Sequence, residues 1–148
     1  MNSHTQRLVT AGPVGSIEVA VDEPRGAVLR GTALVCHPHP LHGGTLDNKV
    51  VQMVARAFVY AGWRTLRFNF RGVGGSAGQW DEGRGEIEDA LAVLKAEVPV
   101  GSAVALGGFS FGGYVASQVA ARLAASGQPA RELVLVGPAT GNFDVAPV

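Results

Sequence analysis

The stretch that decides the fold is LGGFSFGGYVASQVAARLAA, residues 106–125. An apolar run ends at Phe109, and Ser110 follows it between two pairs of glycines. The run has no polar alternation, which is typical of a strand that helices cover on both faces of a sheet. After the serine, apolar residues recur at helical spacing: Phe111, Val115, Val119 and Leu123. The stretch therefore predicts a buried strand, a sharp turn at Ser110 and a helix that ends at Gly127.

Apolar runs alternate with helical patterns over the rest of the chain. Further buried strands are predicted at residues 32–36, 63–70 and 132–137, and two short alternating segments around residues 12–15 predict an opening antiparallel hairpin. Crossover helices between buried strands imply parallel pairing. We therefore predict an α/β fold: a mostly parallel sheet of about six strands with helices on both faces.

The other two predicted helices also have an assignable buried face. The first begins after a capping Asn48 and stops at Gly62, and its apolar positions are Val50, Val54, Ala57, Phe58 and Ala61. The second carries Ile87, Ala90, Leu91, Leu94 and Val98 on one side, and Pro99 ends it. Its acidic residues, Glu86, Glu88 and Asp89, are expected on the opposite, solvated side.

Length and composition limit the classes of function. The 148 residues fit one domain, residues 1–148, and the 12 basic and 12 acidic side chains leave no net charge to attract nucleic acid or an anionic membrane. No apolar stretch is long enough for a membrane helix and the N-terminus lacks a signal-peptide pattern, so a cytoplasmic location is predicted. Cys36 is the single cysteine and is interpreted as a small buried hydrophobe.

Ser110 is the candidate nucleophile. Residues 108–112 fit G-x-S-x-G between a predicted strand and a predicted helix, the context in which that pattern indicates a strained, exposed serine. Glycines two residues before and after the serine leave room for strand and helix to approach. The Phe111 amide would lie at the helix N-terminus, where it can stabilise an oxyanion. The simpler interpretation is that Ser110 only caps the helix.

Three segments in order resemble the α/β-hydrolase superfamily: VCHPHPLHGGTLDNKVV, RFNFRGVGGSAG and GFSFGG. Among its branches the chain is similar to small bacterial dienelactone hydrolase-like and serine peptidase-like members. The resemblance implies a serine hydrolase that acts on a small-molecule ester, thioester or amide and needs no cofactor. It also implies two backbone oxyanion donors, Phe111 and His39, with Leu41 as the fallback for the second, because Pro38 and Pro40 have no N–H.

The family's acid and base follow the serine along the chain, in the order Asp or Glu, then His. Here no histidine follows His42, and Asp144 is the only carboxylate beyond the last predicted strand. We therefore expect the 148 residues to be the N-terminal part of a longer fold, with low activity of their own. Strand Leu133–Val136 would then form a bare apolar sheet edge, through which the chain could self-associate.

Three interpretations of other classes stay open. His37, His39 and His42 have the spacing of a zinc hydrolase motif, although Leu41 stands where that motif has an aspartate. Residues 72–77 match the G-x-G-x-x-A fingerprint of dinucleotide-binding proteins, but a helix does not open within the turn. The third interpretation is a non-catalytic binding protein with the same fold.

A further group of polar and aromatic residues is interpreted as structural. Arg67 and Arg71 are expected to form ion pairs or position loops. Trp80, Asp81 and Glu82 are expected to be solvated or partly packed, on a long loop that borders the site.

Overall fold

The computed structural model describes residues 4–26 and 29–138. The strands in that part of the chain are β1 (Gln6–Gly12), β2 (Gly15–Asp22), β3 (Gly31–Cys36), β4 (Trp63–Phe68), β5 (Val104–Phe109) and β6 (Glu132–Val136). The α-helices are α1 (Lys49–Tyr60), α2 (Arg84–Glu97) and α3 (Phe111–Ala125), and a 3-10 turn covers Pro40–His42.

All six strands form one sheet, in the order β1-β2-β4-β3-β5-β6. The hairpin β1–β2 and its junction with β4 are antiparallel, whereas β4, β3, β5 and β6 run parallel to one another. This confirms the predicted hairpin and the mostly parallel sheet. Because parallel strands end at the same edge, the segments that follow β3, β4 and β5 meet there, and open α/β sheets bind ligands at such an edge.

Helices cover both faces of the sheet, as predicted. On one face α1 packs over alternate strand residues such as Ala33, Val35 and Ala105. On the other face α2 and α3 enclose a larger core with Leu34 and Leu106. The period-two alternation along β3 and β5 explains why these strands read as continuous apolar runs, since each successive side chain enters one core or the other.

The buried face of α1 differs from the prediction. Asn48 caps the helix as expected, and its side chain accepts hydrogen bonds from the Val50 and Val51 amides. The buried residues are Val51, Val54, Ala55 and Phe58, at spacings of three, one and three residues. Ala57 and Ala61, which were expected in the core, are exposed and lie beside a shallow groove next to β6. The error arose because Val50 and Val51 are both apolar, so the pattern alone does not fix the face.

Strand β4 ends at Phe68, two residues earlier than predicted. After Phe68 the chain leaves the sheet, and the Phe70 amide donates to the His37 ring instead of to a neighbouring strand, while the Asn69 side chain accepts from the Leu46 amide. None of the helices in the described ranges is long and apolar enough to span a bilayer.

Candidate functional site

Ser110 lies in a strained turn between β5 and α3. Its backbone has φ 57° and ψ −119°, a conformation that non-glycine residues rarely adopt. Gly108 and Gly112 make the turn possible by leaving no room for side chains: a Cβ on Gly108 would lie 2.1 Å from the Gly112 carbonyl oxygen, and one on Gly112 would lie 2.1 Å from the Cys36 oxygen. The steric explanation given for these two glycines from the sequence is therefore correct.

The hydroxyl of Ser110 is not used as a helix cap. The side chain accepts no capping hydrogen bond from α3, although Ser110 occupies the N-cap position. Its backbone is fixed instead, because the amide donates to the Val136 carbonyl at 3.0 Å and the carbonyl accepts from the Gly113 amide at 2.9 Å. Phe111 is the first residue of α3, so its amide lies at the positive end of that helix. The half-buried serine therefore has its backbone fixed by β6 and α3 and lies directly beside the N-terminus of α3.

The loop after β3 brings His39 close to this turn. The rings of His39 and Phe111 lie 5.4 Å apart between centroids, so the two predicted oxyanion residues contact one another through their side chains. The His39 carbonyl accepts hydrogen bonds from the His42 and Gly44 amides, which closes the loop into a 3-10 turn. The amide of Leu41, the fallback donor, donates to Nδ1 of His39 at 3.2 Å. That fallback amide is therefore already engaged.

His37 is a structural residue. Its ring is fully buried, and its Nδ1 lies 2.7 Å from the Pro38 carbonyl oxygen while its Nε2 accepts from the Phe70 amide. These partners require the neutral tautomer with the proton on Nδ1. Burial lowers the pKa of His37 to about 4. With both nitrogens engaged by the backbone, His37 cannot act as a base towards Ser110.

The zinc interpretation fails at the same residue. A metal ligand needs a free imidazole lone pair, and the Nε2 lone pair of His37 is occupied by the Phe70 amide. His42 is exposed, and its ring stacks on that of His39 at 4.3 Å. Within residues 4–26 and 29–138, no group of three histidine, cysteine, aspartate or glutamate residues is arranged to hold a metal ion.

The glycine-rich loop after β4 is not a phosphate cradle. Its amides bond within the protein: that of Gly72 to Ser76, that of Ala77 to Ser16 and that of Gly75 to the Glu18 carboxylate. The following helix α2 begins only at residue 84, well beyond the glycines. A dinucleotide fingerprint needs the helix N-terminus directly behind its glycines, so the loop does not have that geometry.

Two acidic residues of α2 that were expected in solvent are buried. Asp89 accepts hydrogen bonds from the side chain and the amide of Arg71, and the Asp89 carboxylate raises the pKa of the Arg71 guanidinium. Glu86 accepts from the amides of Asp81 and Gly83. The prediction that the acidic side of α2 faces solvent is therefore wrong for these two residues. Asp89 neutralises Arg71, and Glu86 caps amides of the loop that precedes the helix.

Both arginines have the structural role expected of them. Arg71 also donates to the Gly85 carbonyl, and Arg67, which is fully buried, donates to the Leu46 carbonyl and pairs with Asp22. Cys36 is buried as well, as predicted for a small apolar side chain, and burial raises the pKa of its thiol.

Trp80, which was expected to be solvated or partly packed, lies against both of the predicted oxyanion residues. It is half-buried, and its ring lies 4.3 Å from the ring of His39 and 5.0 Å from that of Phe111. In the sequence, the one signal for these contacts is a tryptophan in an otherwise glycine-rich and polar loop. Asp144, the candidate acid, lies outside the described residues.

The fold and the strained serine define a class, and comparison with known proteins places the chain in it. A family model for the alpha/beta hydrolase fold matches residues 41–147. The chain belongs to the α/β-hydrolase fold family.

Two solved structures show this similarity over most of the chain. XC6422 from Xanthomonas campestris, described as an α/β serine hydrolase without a lid, is 41% identical with a TM-score of 0.84 over 98% of this chain and 66% of its own. An α-β serine hydrolase homologue from Coxiella burnetii is 42% identical with a TM-score of 0.81, over 93% of this chain and 64% of its own.

A third relative is known from its sequence. The uncharacterised protein RP471 of Rickettsia prowazekii is 42% identical over 117 residues, which are 75% of this chain and 48% of that protein. The chain thus spans about half to two-thirds of the length of these three relatives.

Proposed function

We propose that Ser110 is the nucleophile of a serine hydrolase that cleaves small-molecule esters, thioesters or amides through an acyl-enzyme. The observation that carries this proposal is the backbone of Ser110, held at φ 57° and ψ −119° by two glycines that admit no Cβ. Such strain persists only where the surrounding structure imposes it, and it clusters at functional sites. The serine hydrolases named among the relatives support the same chemistry.

In the proposed reaction the Ser110 oxygen attacks the acyl carbon, and the carbonyl oxygen becomes an oxyanion held by the amides of Phe111 and His39. The leaving group then departs with a proton, and water cleaves the acyl-enzyme. A single oxyanion donor of this kind contributes roughly 3–4 kcal/mol to transition-state stabilisation. The reaction needs no cofactor. A cytoplasmic location remains a prediction from the sequence.

The proton-transfer part of this reaction needs a base for Ser110. His37 has both nitrogens bound to the backbone, and Nδ1 of His39 accepts from the Leu41 amide. In subtilisin, loss of the catalytic histidine lowers kcat by about 10⁶. We therefore expect the 148-residue chain to react slowly. The same observation favours the second candidate function, a non-catalytic binding protein with a hydrolase fold.

Covalent labelling with a fluorophosphonate separates the two candidates. We expect slow phosphonylation of Ser110, located by peptide mass spectrometry and lost in Ser110→Ala. Ser126→Ala is the matched control, since this serine lies at the other end of α3, is exposed and should be labelled neither before nor after substitution. A chain with no labelling at Ser110 over a day at pH 9 would support the binding protein instead.

The pH profile of labelling tests the missing base. Without a base, attack depends on the small alkoxide fraction of Ser110, and the logarithm of the rate should rise with pH without a plateau up to pH 9. With an imidazole base the rate should level off above the imidazole pKa, which is ordinarily about 6.5. A plateau near neutral pH would show that a base acts on Ser110 in this chain.

A further inference from the structure

Trp80 joins the two segments that carry the proposed oxyanion donors. His39 lies on the loop after β3, and Phe111 lies at the start of α3, 72 residues later in the chain. The Trp80 ring packs against both of their rings, at 4.3 Å and 5.0 Å between centroids. Trp80 itself comes from a third segment, the loop between β4 and α2. One side chain therefore contacts both halves of the proposed oxyanion site.

The loop that carries Trp80 is firmly anchored just after this residue. The Glu86 carboxylate accepts from the Asp81 and Gly83 amides, each at 2.9 Å. Gly83 adopts φ 95°, and a Cβ there would lie 2.9 Å from the Tyr114 ring on α3. Glu82 is held at φ 58°, and among the described residues only Ser110 shares a positive φ without being glycine. Glu82 lies two residues after Trp80, and Ser110 directly precedes Phe111. The strained backbones of these two residues show that packing here overrides the conformational preference of single residues.

The hydrogen bonds of the His39 carbonyl and of its Nδ1 lie within its own short turn, and its ring packs against Trp80 and Phe111 beyond that turn. Leu41, His42 and Gly43 are exposed, and the 3-10 turn that follows His39 is three residues long. An oxyanion donor must lie about 2.7–3.1 Å from the oxyanion, so the two amides need a fixed separation. Side-chain packing across His39, Trp80 and Phe111 provides a rigid means of fixing it, because aromatic rings bury a large area with few rotatable bonds.

We propose that Trp80 is a positioning residue, which sets the distance between the His39 and Phe111 amides and so the strength of the oxyanion site. This inference rests on the proposed function of Ser110. In this role Trp80 acts through the two residues on which it packs. Removal of its ring should weaken transition-state stabilisation more than it weakens the fold, since Trp80 is only half-buried.

The test compares rates of Ser110 phosphonylation in substituted chains. Trp80→Ala should slow the reaction by on the order of tenfold or more, because displacement of a positioned group by about 1 Å can cost up to 10²-fold. Trp80→Leu keeps apolar bulk without an aromatic ring, and it should also be slow even if the alanine variant does not fold. Trp80→Phe keeps a stacking ring and should restore most of the rate.

Trp63→Phe is the matched control for a purely structural effect. Trp63 is fully buried on the α1 face of the sheet, so its replacement should lower the melting temperature and leave the phosphonylation rate of the folded chain unchanged. A Trp80→Leu variant as fast as the unaltered chain, or no slower than Trp63→Phe, overturns the inference alone. Failure of the unaltered chain to react at Ser110 overturns the proposed function, and the inference with it.

Discussion

Ser110 has two unlike neighbours in the sheet, the segment around β3 on one side and β6 on the other. Every residue of β3 is buried, and the loop that follows it packs against Phe111 and Trp80. Strand β6 has no fully buried residue, and within the described ranges its strand partner is β5 alone. We call the β3 segment the packed side and β6 the open side. The difference shows that the Ser110 turn is held mainly by its contacts with the β3 segment, which also carries the proposed donor His39.

The close contact between Gly112 and the end of β3 should have the largest effect on unfolding free energy. In Gly112→Ala the new Cβ would meet the Cys36 oxygen at 2.1 Å and the His37 oxygen at 2.5 Å. We expect a loss of about 3 kcal/mol or more of unfolding free energy from this overpacking, which exceeds the gain of about 1 kcal/mol from replacing a helical glycine. Urea unfolding followed by tryptophan fluorescence measures the difference.

Gly127→Ala is the control for this substitution at the far end of α3. A Cβ on Gly127 would meet nothing within 4 Å, and only its φ of 83° opposes an alanine. The expected cost is roughly 1–2 kcal/mol. Equal losses in the two variants would contradict the view that close approach to β3 holds the Ser110 turn.

His37 should make the packed side sensitive to acid. Its pKa falls from an ordinary 6.5 to about 4 in the folded chain because burial disfavours the charged ring. The folded state thus binds a proton on His37 less readily than the unfolded state does. The stability that the neutral ring contributes is therefore complete above pH 6.5 and is lost progressively between pH 6.5 and pH 4. The shift corresponds to a loss of about 3 kcal/mol across that window.

Unfolding measured at intervals from pH 7.5 to pH 4 reveals this loss, with His37→Gln as the comparison. A glutamine carbonyl can accept from the Phe70 amide as the ring does, but it does not titrate. The variant should be less stable at neutral pH, and its stability should change less between pH 6.5 and pH 4. Identical pH dependence in both chains would remove His37 as the cause.

The Ser110 turn was predictable from the sequence and its surroundings were not, for a physical reason. The turn follows from local sterics, because the glycines that it requires stand two residues before and two residues after the serine. The burial of Asp89 depends on Arg71, 18 residues earlier, and an acidic residue at helical spacing looks the same whether it faces water or a guanidinium. The contacts of Trp80 form only when its own loop, the loop after β3 and the start of α3 come together.

A substitution in β6, the open side, should give the smallest change in unfolding free energy. We propose that the 148-residue chain self-associates through β6, where Leu133–Val136 is uncharged and Val134 is 39% exposed beside Met53. An uncharged stretch of an edge strand is a template for pairing with a second chain, and the one charged residue of β6, Glu132, stands at its first position. Val134→Lys should shift the chain towards monomer, because pairing would desolvate the new charge, while unfolding free energy changes by less than about 1 kcal/mol.

Sedimentation velocity over a range of concentrations measures this association. Val100→Lys, at a fully exposed position before β5, adds the same charge away from the edge and should leave association unchanged. If both lysines act alike, net charge and not the edge controls association. A monomeric unaltered chain at the highest concentration would mean that β6 does not recruit a second copy, and the contrast between the two sides of Ser110 would then concern packing alone.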